Sequence, residues 1–277
     1  MKLFVSDLDG TLLNSNKEIS CYSKEILNKF IGEGGNFTIA TARTPATANI
    51  ILNDINLNLP VILMNGAIIY DIKNKDYINV IDININIIDP ILNILETSQL
   101  SPIIYSIYNN HLFVYHKEFK NQAEKNFYDE RYLSPDKTFI KTNDYKSSIS
   151  NKKVVNFLMF DELKKIKIAY DKLKKIPGIT LYLYKDIYVN EDLYNLEIYS
   201  NQSSKSSGIK YLKDRFNFEE IICFGDNLND ICMFKSSDKC YAVKNSCPEL
   251  KSLATKIISS NNDDAVAKQI ISSLTSA

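Results

Sequence analysis

Short apolar runs punctuate the start of the chain, separated by segments whose apolar positions recur at helical spacing. Leu3-Phe4-Val5 reads as the end of a buried strand. Ile19, Tyr22, Ile26 and Phe30 follow at helical spacing, and Gly32, Gly34 and Gly35 close that helix. Phe37-Thr38-Ile39-Ala40 predicts a second strand. Thr44-Pro45 then starts a helix, with Thr44 as cap and Pro45 at the first helical position. Val61-Ile62-Leu63-Met64 is a third buried strand; Ile68-Ile69-Tyr70 and Tyr77-Ile78-Asn79-Val80 flank a polar turn and predict a hairpin. Strand, helix, strand, helix, strand with short connections is the pattern of a parallel α/β sheet.

From about residue 83 the pattern changes. Asp89-Pro90 opens a short helix, and strands at 103–108 and 112–115 flank Asn109-Asn110, a hairpin signal. Residues 117–132 read as helix, 133–150 as polar loop, and 154–160 as strand. Asp161 is placed to cap a helix bearing Leu163, Ile166, Tyr170, Leu173 and Ile176 on one face, with a lysine-rich solvated face opposite. Pro177-Gly178 turns into a strand at 179–184. Hairpins and helices without strict alternation predict an α+β unit over 83–190, inserted into a domain formed by 1–82 and 191–277. In that second stretch, Leu196-Glu197-Ile198-Tyr199 reads as strand, Ser203-Ser204-Lys205 opens a helix to about Phe216, and Ile221-Ile222-Cys223-Phe224 is another buried strand. Short strands near 241–243 and 256–258 and a helix over 263–274 complete the chain.

Composition narrows the function classes. The 277 residues carry 33 basic and 33 acidic side chains, a formal balance of zero that argues against a general nucleic-acid or membrane-surface binder. No apolar run approaches a membrane span, and Asp7 and Asp9 interrupt the apolar start of the chain, so a cytoplasmic protein is expected. The five cysteines form no CxxC pair and suit reduced thiols; the two histidines, His111 and His116, are too few for a typical zinc site.

The candidate chemistry begins at Asp7-Leu8-Asp9-Gly10. Strand periodicity points Asp7 and Asp9 to one side, and Gly10 permits a sharp turn or a close approach to a ligand. Asp9-Gly10 between apolar residues is also a hairpin signal. Two carboxylates at a strand end suit a divalent cation, or a division of labour between an ionised and a protonated group. Further polar groups follow other strands or start a helix: Thr41, Lys205, and Asp226 with Asn229 and Asp230. A parallel sheet collects its strand C-termini on one edge, where ligands bind. Asp7 and Asp226 suit Mg²⁺, while a hydroxyl, an ammonium and an amide suit phosphate oxygens. Taken singly, Thr41 reads as a strand-end turn residue, Lys205 as a surface lysine and Asp226-Asn227 as a turn; no Walker A sequence is present.

Together, Asp7-Leu8-Asp9-Gly10-Thr11-Leu12, Ala40-Thr41-Ala42-Arg43, Asn65-Gly66-Ala67, Lys205 and Gly225-Asp226-Asn227-Leu228-Asn229-Asp230 resemble, in order, the motifs of the haloacid dehalogenase superfamily, specifically the Cof-type phosphatases. The resemblance runs nearly end to end. It implies a Rossmann-like α/β core with a parallel sheet and an inserted α+β cap domain. It implies Asp7 as nucleophile, Asp9 as general acid/base, Thr41 and Lys205 on the phosphoryl group, and Asn229 beside it. Mg²⁺ would lie on Asp7, the Asp9 carbonyl and Asp226, with Asp230 supporting the metal shell, and Arg43 and Asn65 would contact a small phosphorylated metabolite. Two departures stand out: the family usually has Gly where this chain has Ala42, and Gly where it has Ala265. The expected activity is Mg²⁺-dependent phosphomonoester hydrolysis through an aspartyl-phosphate. Two alternatives are a phosphosugar mutase of the same superfamily and a non-catalytic phosphometabolite-binding regulator.

Overall fold

A computed structural model describes residues 1–185 and 193–275. The chain divides into two compact units, Met1–Asn79 with Ser203–Ala277, and Val80–Gln202. Among the described residues no helix is long and apolar enough to cross a membrane.

The first unit is built on a five-stranded sheet, ordered Lys256–Ile257, Lys239–Ala242, Glu220–Gly225, Lys2–Ser6 and Phe37–Ile39, with every neighbouring pair parallel. The strands Glu220–Gly225, Lys2–Ser6 and Phe37–Ile39 are apolar along almost their whole length because both faces are buried: Leu3, Val5, Phe37, Ile39, Ile221 and Cys223 are all fully enclosed. A parallel bridge between Ala40 and Ile62 links this sheet to a second, Val61–Leu63, Ile68–Asp71 and Asp76–Val80, whose first two strands pair antiparallel. The Cys21–Gly32 helix starts at Ser20, whose hydroxyl accepts the Ser23 N–H. Pro45 begins the Pro45–Leu52 helix at its first turn, but Thr44 makes no side-chain capping bond; its hydroxyl meets the Thr47 hydroxyl instead.

The second unit is a six-stranded sheet ordered Ile179–Lys185, Leu193–Ser200, Lys153–Glu162, Ile103–Tyr108, His111–His116 and Lys137–Lys141. All pairs are antiparallel except the last, which is parallel. The helices Ile85–Thr97 and Leu163–Leu173 bring Ile91, Leu95, Ile166 and Leu173 into one apolar cluster with Ile104, Phe157, Leu196 and Ile198 of the sheet.

Several elements differ from the sequence reading. The boundary placed between 190 and 191 lies outside the described residues. The strand carrying Leu196–Tyr199 pairs between two strands of the inserted unit, so that unit continues past it. Residues 133–150 are not all loop: they hold the edge strand Lys137–Lys141 and a short helix, Tyr145–Ile149. An edge strand ending in lysines at 137 and 141 carries little apolar alternation to read. The helix over 117–132 shortens to Gln122–Asp129. Pro90 does not open its helix but lies inside it; Asn84 is the cap, and both Pro90 and Asn86 face solvent, where water can serve the carbonyl orphaned by the proline. Asp161 lies within a strand, next to its last residue, and its carboxylate accepts the Glu162 N–H and pairs with Lys165 rather than capping the helix.

Candidate active site

Asp7 leaves the sheet at its centre. Its N–H still donates to Phe224 of one neighbouring strand, at 3.0 Å, and the Ala40 N–H of the other donates to Ser6, at 2.9 Å. The residues that follow those neighbours, Asp226 and Thr41, therefore leave the sheet on the same edge as Asp7. The backbone then turns through Gly10 at φ 71°. A β-carbon there would lie 2.3 Å from Asp226 Oδ2, so Gly10 is required both by its backbone and by the carboxylate it leaves room for. The hairpin suggested by Asp9-Gly10 does not form: Leu8–Leu12 is a compact, kinked helical turn.

Lys205 is the hub of the site. Its ammonium, in a residue only 1% exposed, lies 2.7 Å from Asp7 Oδ1 and 2.7 Å from Asp230 Oδ1. An ammonium has three donors, so one remains for an incoming oxygen. Asp230 is fully buried, and its second oxygen accepts the N–H groups of Asp226 and Asn227 at 2.9 and 3.1 Å. Both of its oxygens are engaged, which makes it the brace of the Asp226 loop. Asp226 takes a hydrogen bond from Thr11 Oγ1 at 3.3 Å.

Lys205 reaches this place through local chemistry. Ser204 caps its helix in a reciprocal capping box with Ser207. The turn before it in space, Met64-Asn65-Gly66, has three successive positive φ angles, and a β-carbon on Gly66 would lie 1.9 Å from the Ser204 carbonyl oxygen. Gly66 thus lets the turn press against the start of the Lys205 helix.

The remaining predicted residues fall into two smaller groups. Thr41 is buried; its hydroxyl oxygen accepts the Arg43 N–H at 3.2 Å and keeps its own proton to donate. Arg43 grips Asp9 with two N–H groups, at 2.7 and 2.6 Å. Asn229 Nδ2 approaches Asn65 Oδ1 at 3.5 Å. The start of the Lys205 helix at Ser203-Ser204 was read from the sequence, but the contributions of Gly66 and Thr11 had no signal beyond their place in the motifs, and the hydrogen bond from Asn245 to the Gly10 carbonyl, 2.8 Å, had none. Neither Ala42 nor Ala265 has a positive φ, so the two glycine-to-alanine departures are accommodated without strain; the left-handed residue is Asp264, at φ 57°.

The electrostatics state what the site lacks. Oxygens of Asp7, Asp226 and Asp230 lie within 4.8 Å of one another. Three carboxylates against the one ammonium of Lys205 leave two formal negative charges. Burial pushes the Asp7 carboxyl well up, Lys205 opposes that, and Asp230 and Asp226 add to it. Burial, then Asp230, push Asp226 up to about 7 against Lys205. Burial would lower the Lys205 ammonium, but Asp230 and Asp7 outweigh it and raise it, so this lysine stays charged. A divalent cation between Asp7 and Asp226 would cancel the excess, and the donor set of hard carboxylate oxygens fits Mg²⁺.

Comparisons with known proteins identify the family. Residues 4–270 match the family of haloacid dehalogenase-like hydrolases. Phosphatase YwpJ of Bacillus subtilis is 26% identical over 96% of this chain and 98% of its own length. The 5-amino-6-(5-phospho-D-ribitylamino)uracil phosphatase YitU of the same organism is 21% identical over 96% and 95%. In fold, the chain is similar to a haloacid dehalogenase-like hydrolase from Bacteroides thetaiotaomicron, with a TM-score of 0.78 and 24% identity over 98% of both chains.

Proposed function

The chain belongs to the haloacid dehalogenase-like hydrolases, and from that premise we propose that it is a Mg²⁺-dependent phosphatase of small phosphorylated metabolites, working through an aspartyl-phosphate on Asp7. The observation that carries this reading is the buried ammonium of Lys205 against Asp7, beside an acidic cluster in need of two positive charges.

In the first step an oxygen of Asp7 attacks phosphorus and the bond to the leaving oxygen breaks. Lys205 holds Asp7 through Oδ1, and its third N–H is available to a phosphoryl oxygen. The Thr41 hydroxyl and the Asn229 amide supply further donors, of the kind that stabilises charge developing on a transferring group. Asp9 gives its proton to the leaving oxygen, then takes one from the water that cleaves the aspartyl-phosphate, so the cycle balances as ester plus water to alcohol plus phosphate. Asp7, Asp226 and the Asp9 carbonyl would hold Mg²⁺, which when bound offsets the repulsion between Asp7 and the phosphate dianion. Arg43 and Asn65 border the same group of residues. A sugar-phosphate or cofactor-phosphate substrate is in keeping with the ribityl phosphate named for YitU.

The test is phosphate release from phenyl phosphate and a panel of phosphorylated metabolites. Activity is expected with Mg²⁺, not with excess EDTA, and not in Asp7→Asn. An isomeric sugar phosphate as product would favour the mutase, and tight binding of a panel member without phosphate release would favour the regulator.

A further inference from the structure

Asp9 differs from the other carboxylates of the site in being half exposed, 49% of its side chain, and in being held by an arginine. Arg43 Nε donates to Asp9 Oδ2 at 2.7 Å and Nη2 to Oδ1 at 2.6 Å. Pairing a planar guanidinium with both oxygens sets the plane of the carboxylate as well as its position, which a point charge cannot do. The arginine is itself well anchored. Its N–H donates to Thr41 Oγ1 at 3.2 Å, and its carbonyl accepts the Met64 N–H at 3.1 Å. Asp9, by contrast, lies at the start of a turn whose next residue, Gly10, has a positive φ.

We propose that Arg43 is a positioning residue for Asp9, acting on the reaction through the aim of that carboxyl group and not by gripping the phosphoryl group. This rests on the reading of Asp9 as proton donor. In the donor form one carboxyl oxygen carries the proton and faces the leaving oxygen, while the other still accepts from the guanidinium. The proton passes to the leaving oxygen as its bond to phosphorus breaks, and the attacking water returns one to Asp9. Half of the fork opens and the other half keeps the group on target. Asp9 is half exposed, so removing the guanidinium leaves no buried unpaired charge and is expected to keep the fold while changing this geometry.

The experiment is single-turnover phosphoryl transfer to Asp7, with Mg²⁺, on phenyl phosphate and p-nitrophenyl phosphate. Phenolate is the poorer leaving group and needs the proton more. Arg43→Met is expected to lose roughly 10- to 100-fold on phenyl phosphate, as a misplaced group does, and less than about threefold on p-nitrophenyl phosphate. Arg43→Lys keeps the charge without the fork and is expected to stay close to Arg43→Met. In an Asp9→Asn background, Arg43→Met is expected to add nothing on either substrate. Equal losses on both substrates, additive with Asp9→Asn and accompanied by a raised KM, would place Arg43 on the substrate and overturn the proposal while leaving Asp9 as the acid. Equal losses on both substrates from Asp9→Asn alone would remove the acid, and the proposal with it. Should Arg43→Met fail to fold, Arg43→Gln, which retains one donor, carries the same comparison.

Discussion

Among the described residues each unit of this protein buries one lysine, and the two have opposite fates. Lys205 is 1% exposed and Lys137 is 5% exposed, so burial disfavours the charged form of both. Lys205 has two carboxylates at 2.7 Å, and they raise its basicity above the ordinary value. Lys137 lies near the Phe139 ring, its ammonium 5.3 Å from the centroid, and the charge that acts on it is that of Arg131. Burial, with Arg131 adding to it, lowers Lys137 to about 8. The difference shows that enclosure sets the cost of a charge, while the partners decide whether that cost is offset. At Lys205 the charge is retained and can serve phosphate; at Lys137 it is a burden on the fold.

The sharpest break in this comparison is to remove Lys205. Lys205→Met leaves Asp7 and Asp230 buried without their cation, a loss of the size seen when one partner of a buried pair is deleted, about 3–5 kcal/mol. Phosphatase activity is expected to fall by at least about 10²-fold, as when one donor to a developing oxyanion is lost. Thermal melts and phosphate release, each with and without Mg²⁺, measure both.

A pair of glycines separates a backbone that serves the site from one that only turns. Gly66 and Gly178 both have φ 88°, but a β-carbon on Gly66 would meet the Ser204 carbonyl at 1.9 Å, while on Gly178 it would meet only Ile87 Cδ1 at 3.6 Å. Gly178→Ala is expected to cost about 1 kcal/mol, for backbone strain alone. Gly66→Ala is expected to cost roughly 3 kcal/mol and to lower activity as well, because relief of the clash moves the start of the Lys205 helix. Urea unfolding with matched assays distinguishes them.

A change at the other buried lysine acts in the opposite direction. Lys137→Met is expected to stabilise the protein by roughly 2 kcal/mol at pH 7. The folded value of Lys137, about 8, lies below the unfolded value of 10.5. The unfolded chain therefore binds more protons between those values, and wild-type stability is expected to rise with pH across that window and carry the full penalty below it. Lys137→Met removes that rise. Denaturant midpoints from pH 7 to pH 10.5 test it, and a slope unchanged by the substitution would reject the assignment.

The glycine departures show how far local sequence carries. Ala42 and Ala265 mark motif positions where glycine is usual, and the chain keeps both at ordinary φ. One left-handed conformation falls instead on Asp264, whose carboxylate accepts from the Ser23 hydroxyl at 2.8 Å. A substitution within a motif was visible; where the backbone put its strain was not. The inserted unit was harder to read for a different reason. Its strand Lys137–Lys141 is defined by pairing with His111–His116, residues more than twenty positions earlier, and by an apolar face too short to produce a pattern.

What the sequence determined by itself was the alternation of the first unit and the order of the polar motifs after its strands. Fully buried parallel strands must be apolar throughout, and the residues that follow them must meet on one edge. What only the tertiary structure decided was which polar groups touch. Lys205 lies 198 positions from Asp7 and 25 from Asp230 in sequence, and the capping of its helix, the close approach of Gly66 and the packing of Gly208 on Ile62 help bring one ammonium between them. The fork of Arg43 on Asp9 and the charge surplus around Asp226 belong to the same class. Hydrogen bonds and charge balance depend on distances of a few ångströms across strands, and those distances are set by packing, to which the local pattern of the chain is blind.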